Sequence, residues 1–165
     1  HKVKRSYLEI NSLEDLNQAS KPSDDYFLNL LEPINFQLNK FFYKNIGNKH
    51  KWMDRLIWTE ERWIDYVSSK NVKTYILKYK EDLVGFFELI YHQERNEVEI
   101  AYLGILEEYH NKKLGSYLLS EAIKESFKNK INRVWVHTCT LDHKNALNNY
   151  ITRGMKIFKT EIINI

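Results

Sequence analysis

Between Glu97 and Met155 the chain passes through an apolar, strand-like run, EVEIAYLGIL, then a basic turn, YHNKKLGS, an amphipathic helix, a second strand, and a short helix carrying Tyr150. This order narrows the choice of folds more than any other feature. Two strands joined by a helical crossover pair in parallel within one sheet. The turn that ends the first strand and opens the helix leaves backbone N–H groups without internal partners, at the positive end of the helix dipole. Such a junction suits a phosphate-bearing ligand, and the short helix adds a phenol nearby. The arrangement points to an enzyme.

The turn itself holds His110, Asn111, Lys112, Lys113, Leu114, Gly115 and Ser116, after which Tyr117, Leu118, Leu119, Ala122, Ile123 and Phe127 recur at helical spacing. Gly115 removes a side chain where phosphates would approach the backbone, and His110, Lys112 and Lys113 add charge. Taken alone, the same residues also describe an ordinary loop with solvated lysines.

The segment YHNKKLGSYLL resembles motif A of the GNAT superfamily of acyl-CoA dependent N-acyltransferases, whose pattern is Arg/Gln, two residues, Gly, one residue, Gly/Ala. His110 stands at the Arg/Gln position, Lys113 at the first Gly and Gly115 at the second. HKNALNNYITRGM resembles the second signature, Asn-x-x-Ala-x-x-x-Tyr-x-x-x-Gly-Phe, with Ala146, Tyr150 and Gly154 in register, His143 for Asn and Met155 for Phe. WVHTCTLDHKNAL and EIAYLGIL are similar to stretches of a bacterial branch of the superfamily. The resemblance is close over the last half of the chain and loose over the first.

It implies an α/β (α+β) fold: a mixed, mainly antiparallel twisted sheet flanked by helices, with a central parallel pair of strands splayed to admit CoA. It further implies acetyl-CoA as cosubstrate. The main chain of Leu103, Gly104 and Ile105 would pair with the pantetheine arm as an added strand does, while residues 110–116 hold the phosphates and Asn145 contributes a contact. Gly104 within a strand marks either a bulge or close backbone approach, or packing beneath a large neighbour.

The resemblance implies transfer of an acetyl group from acetyl-CoA to an amine by direct attack. A catalytically inactive CoA-binding or metabolite-sensing module, favoured by Lys113 in place of a motif glycine, is the alternative. The transfer sets further requirements. The ammonium must lose a proton before attacking a thioester, and a carboxylate can take it. Glu99 lies in an otherwise apolar strand, a costly place for a charge. Period-two counting puts Glu97, Glu99, Ala101 and Leu103 on one face, and a hairpin turning between Glu94 and Arg95 sets Glu88 opposite Ala101 and diagonal to Glu99. Glu99 and Glu88 are therefore the candidate carboxylates, and pairing with Arg or Lys is the competing account. Tyr150, on one helical face with His143, Ala146, Leu147 and Gly154, is the candidate acid for the departing thiolate; a core aromatic is the alternative.

Elsewhere the pattern predicts strands at Val3–Ile10, Tyr26–Leu31, Val72–Tyr79, Leu83–His92, Glu97–Ile105, Arg133–Thr138 and Met155–Ile163. Helices are expected at Ile34–Asn45, with Ile34, Leu38, Phe41 and Phe42 on one face and Gly47 beyond its end, at Thr59 to about Ser69, at Leu114–Lys128 and at His143–Arg153. Trp52, Arg55 and His137 are candidate contacts for the acceptor, through stacking and an Arg contact to an amphipathic or carboxylate-bearing amine; alternatively the tryptophans of this region cover the sheet.

At 165 residues with 43% apolar content, the chain is expected to form a single domain over residues 1–165 with its own core. A net charge of +3 without a basic stripe gives no reason to expect nucleic acid as a partner. The expected partner is a small-molecule or peptide amine, and a homodimer is compatible with the sequence. Cys139 is the only cysteine, which rules out an intramolecular disulfide. With no leader or apolar span apparent, a cytoplasmic location away from membranes is expected. His137, Cys139, Asp142 and His143 match no zinc spacing, so no metal is assigned.

Overall fold

The computed structural model describes residues 2–164. In chain order these form β1 (Lys2–Ile10), β2 (Tyr26–Leu30), α1 (Phe36–Gly47), α2 (Glu60–Ser68), β3 (Val72–Tyr79) and β4 (Asp82–His92). They continue with β5 (Glu97–Ile105), α3 (Leu114–Phe127), β6 (Arg133–Cys139), α4 (Ala146–Thr152) and β7 (Lys156–Asn164). The strands make one sheet in the order β2-β3-β4-β5-β6-β1-β7, with every neighbouring pair antiparallel except β5 and β6. The mixed, mainly antiparallel architecture read from the sequence is the one found. The insertion of β1 between β6 and β7 has no local signature, because it depends on which strand edges are left free.

The β3-β4-β5 meander turns through Lys80 and Asn96, both left-handed at φ 53° and 54°. One face of the sheet is covered by α3. Leu114, Leu118, Ala122 and Ile123 recur at helical spacing and are buried with Leu89, Val98, Ile100, Val134 and Val136. On the other face Phe42 and Ile46 of α1 pack on Ile76 and Phe86, with the Phe42 and Phe86 rings stacked at 5.0 Å. Each such side chain contributes roughly 1.5–3 kcal/mol by leaving water.

α2 begins as expected, with the Thr59 side chain accepting from the Arg62 amide at 3.2 Å. α1 is displaced from its expected span. Asn35 caps it, so Ile34 lies outside and exposed, and Phe41 also points outward. The buried face runs through Asn39, Phe42, Tyr43, Ile46 and Gly47. Asn39 hides the helical phase because its amide donates inward to Thr74 and Glu88, at 2.8 and 2.9 Å. Gly47 belongs to the helix, and a Cβ there would lie 2.6 Å from Trp52. α4 starts at Ala146, so His143 precedes the helix, where its Nδ1 accepts from the Asn145 amide.

Candidate active site

The parallel pair is joined only at Glu97–Arg133, Val98–Val134 and Glu99–Trp135. Beyond Glu99 the two strands separate although both continue, β5 to Ile105 and β6 to Cys139. The gap between them forms part of a cleft of about 910 Å³ bounded by β5, β6, the turn before α3, the start of α4 and the segment between α1 and α2. Leu103, Gly104, Ile105, His110, Asn111, Lys113, Leu114, Gly115, Ser116 and Asn145 line it, whereas Lys112 does not.

At the turn, Asn111 and Lys113 take left-handed φ values of 64° and 62°. Lys113 occupies the N-cap position of α3 without any side-chain cap bond, so the amides of the first turn are left to another acceptor. A Cβ added to Gly115 would meet only Asn149 Nδ2, at 3.8 Å, so internal packing does not demand glycine here. The open space fits the approach of an anionic group to the backbone. The His110 ring is fixed by a 2.9 Å contact between Nε2 and the Ile105 carbonyl and meets His143 edge-on at 5.1 Å. Gly104 has a different cause, since a Cβ would lie 2.7 Å from Ile46 Cγ2.

Glu99 and Glu88 share a face but have different surroundings. A bulge between Glu88 and Leu89 pairs Glu88 with Tyr102, rather than Ala101, and Ile90 with Glu99. Glu99 lines the cleft, and its Oε1 lies 2.9 Å from His92 Nε2. Glu88 is fully buried and absent from the cleft wall. Its carboxylate is enclosed by Arg55 at 2.9 and 3.1 Å, Tyr66 at 2.7 Å and Asn39 at 2.9 Å. The expectation of Glu88 at the reacting centre does not match this placement; α1 and α2 cover the strand there and seal it off.

Tyr150 of α4 is buried but faces the cleft. Burial, followed by the charge of Asp142, pushes its phenol pKa well up, so it keeps its proton near neutral pH. Gly154 does not open that helix toward the cleft. It sits at φ 113°, where a Cβ would strike the Asp15 carbonyl at 2.2 Å.

Trp52, Arg55 and His137 all line the cleft. Arg55, however, is enclosed by protein: its guanidinium lies 4.3–5.7 Å from the rings of Tyr43, Trp58, Trp63, Tyr66 and Tyr102. Burial alone would lower its pKa, but the Glu88 charge reverses this and holds it charged. This cation serves the packing of α2, so the expected Arg contact to a substrate carboxylate does not fit. The ring of His137 lies 5.5 Å from that of Tyr7, and desolvation, then Arg5, lowers its pKa.

Asp142, weighed above only as a metal ligand, and Asp54 serve as hydrogen-bond acceptors on the cleft wall. Asp54 Oδ1 accepts from the phenols of Tyr43 and Tyr102. Asp142 accepts from Thr138 at 2.6 Å, the Cys139 amide at 3.0 Å and Trp52 Nε1 at 3.2 Å, bracing the end of β6 against the segment between α1 and α2. Among the described residues no group of three His, Cys, Asp or Glu side chains is arranged to hold a metal ion.

The sheet opens between two parallel strands, with uncapped amides at one end of the gap and a carboxylate and a phenol on its walls, an arrangement suited to an elongated anionic ligand. The chain belongs to the acetyltransferase (GNAT) family, whose model matches residues 32–155. Among solved structures it is similar to a GCN5-related N-acetyltransferase from Sphaerobacter thermophilus, with TM-score 0.71 and 12% identity over 96% of this chain and 49% of that one. An aminoglycoside acetyltransferase from an uncultured soil metagenomic sample, in complex with trehalose, gives TM-score 0.66 and 13% identity over 81% of this chain and 90% of that one. The ribosomal-protein-S18-alanine N-acetyltransferase of Escherichia coli gives 0.61 and 15%, over 78% and 76%. At these identities the likeness concerns the fold. The chain spans about half the length of the Sphaerobacter protein and 55% of a Kribbella flavida relative. No curated protein matches the sequence.

Proposed function

We propose that residues 1–165 act as one N-acetyltransferase domain that moves an acetyl group from acetyl-CoA to a primary amine by direct attack. The observation that carries this reading is the gap beyond Glu99–Trp135, with Glu99 and Tyr150 both on the wall of the same cleft. The free edge of β5 from Leu103 to Ile105 has backbone groups for an extended arm, and the first turn of α3 with Lys113 suits a pyrophosphate.

Acetyl-CoA supplies an activated thioester. Glu99 takes the proton of the acceptor ammonium, which frees the nitrogen lone pair. Tyr150, kept protonated by its surroundings, donates to the sulfur as the C–S bond breaks, and its phenolate recovers the second proton from the newly acylated nitrogen. The acceptor enters beside Trp52, Asp54 and Tyr102. No described helix is long and apolar enough to cross a membrane; the acceptor we favour is a small-molecule or peptide amine, and the location we favour is the cytoplasm.

The test is thiol release from acetyl-CoA with a panel of primary amines. Glu99→Gln should lose roughly 10²-fold or more in kcat and flatten the acid limb of the pH profile. Tyr150→Phe should lower kcat while acetyl-CoA still binds by calorimetry. Thiol release that is independent of both side chains would overturn the assignment.

A further inference from the structure

We propose that His92 is a positioning residue for Glu99, holding the carboxylate toward the cleft and carrying the proton it collects out to solvent. The inference rests on Glu99 being the base.

The two side chains form a diagonal cross-strand pair, since His92 is opposite Glu97 and Ile90 is opposite Glu99. Nε2 of His92 lies 2.9 Å from Oε1 of Glu99, and the side chains are 28% and 18% exposed. Among the described residues this is the hydrogen bond that Glu99 makes. One face of the imidazole is turned to Trp135, with centroids 6.1 Å apart and planes 22° from parallel. Trp135 is also the last β6 residue paired with β5. His92 is thereby fixed where the gap begins, and it is not part of the cleft wall. The pair links a carboxylate of the cleft wall to a side chain that is partly exposed outside it.

The other charged groups around the pair are committed elsewhere or lie across the cleft. On β5, Glu97 is held by Arg133 at 2.9 Å and Arg95 at 3.9 Å, and Arg133 also binds Glu9 of β1 at 2.8 Å. From β6, His137 feels the charge of Glu99 together with those of Arg5, Asp142 and Asp54. Among the described residues, His92 alone is in hydrogen-bond contact with Glu99.

The proton balance closes without any added reagent. The acceptor N–H bond breaks as the Glu99 O–H forms, and that proton passes to Nε2 of a neutral imidazole carrying its hydrogen on Nδ1. The imidazolium releases the Nδ1 proton to water, leaving an Nε2–H that donates to the restored carboxylate. Transient opening of the Glu99 contact lets water remove the Nε2 proton and return one to Nδ1, which restores the first tautomer.

The test is kcat against pH for the wild type, His92→Ala, His92→Gln and Glu99→Gln, using acetyl-CoA and the fastest of 2-phenylethylamine, spermidine and lysine. His92→Ala should lose roughly tenfold in kcat, with KM for acetyl-CoA unchanged. Added imidazole should restore part of that rate, while a non-titrating salt should not. His92→Gln keeps a donor and the packing against Trp135, so it should fold as the wild type does and still be slow and imidazole-responsive. If both His92 variants match the wild type while Glu99→Gln is impaired, or their loss ignores imidazole, the role of His92 is wrong and Glu99 stays as base. A Glu99→Gln enzyme with the wild-type profile removes the base assignment and this inference together.

Discussion

Glu88 and Glu99 show how much the surroundings of a residue decide. Both are glutamates on one face of adjacent strands, yet Glu88 is sealed with Arg55, Tyr66 and Asn39, and Glu99 opens on the cleft. Removing one member of a buried ion pair leaves the other charge uncompensated, at a cost of about 3–5 kcal/mol. Glu88→Ala should therefore lower the urea-unfolding free energy by about that amount, whereas Glu99→Gln should change it little. Equal stability losses in the two variants would contradict the division of labour. Gly154 makes a second case. Its φ of 113° and the nearby Asp15 carbonyl leave no room for a methyl group, so Gly154→Ala should lower Tm through strain rather than through any effect on ligand affinity.

At the scale of an element, the start of α3 separates packing from ligand approach. Because a Cβ on Gly115 meets only Asn149 Nδ2 at 3.8 Å, Gly115→Ala should keep the fold and add up to about 1 kcal/mol of stability from helix propensity. The same methyl group stands where a phosphate would meet the amides, so calorimetric affinity for CoA should fall. A variant that is destabilised and binds CoA normally would reverse the assignment. Lys113 occupies a left-handed position that favours glycine. The residue also lines the cleft, where in the proposed reading its charge would face the phosphates.

At the scale of the whole molecule, three histidines from separate segments converge at one end of the cleft. His143 lies 5.1 Å from His110 and 6.0 Å from His50 by ring centroid. Burial, then the charges of His110 and His50, lower the pKa of His143 from the usual 6.5. With the folded value below the unfolded one, the unfolded chain binds more protons in the interval between them, so stability rises with pH there and is lost on acidification. Tm should accordingly drop as pH is taken from about 7 to about 5, and His143→Asn should show the shallower slope. A slope unchanged by that substitution would place the acid sensitivity elsewhere.

The sequence by itself determined the kinds of elements and most of their limits, because hydrophobic period and turn chemistry are local: the β3-β4-β5 meander, the Thr59 cap and the α3 stripe all follow from neighbours a few residues apart. The paired motifs likewise located the turn at His110–Ser116 and singled out Tyr150. Tertiary structure alone decided the rest. A one-residue bulge changed the partner of Glu88, and the inward amide of Asn39 altered the phase of α1. The insertion of β1 beside β6, the approach of His92 to Glu99 and the enclosure of Arg55 by five aromatic rings join residues far apart along the chain or across a strand register. Such contacts are settled by which surfaces are left to bury once the local elements exist, and no local pattern records that outcome.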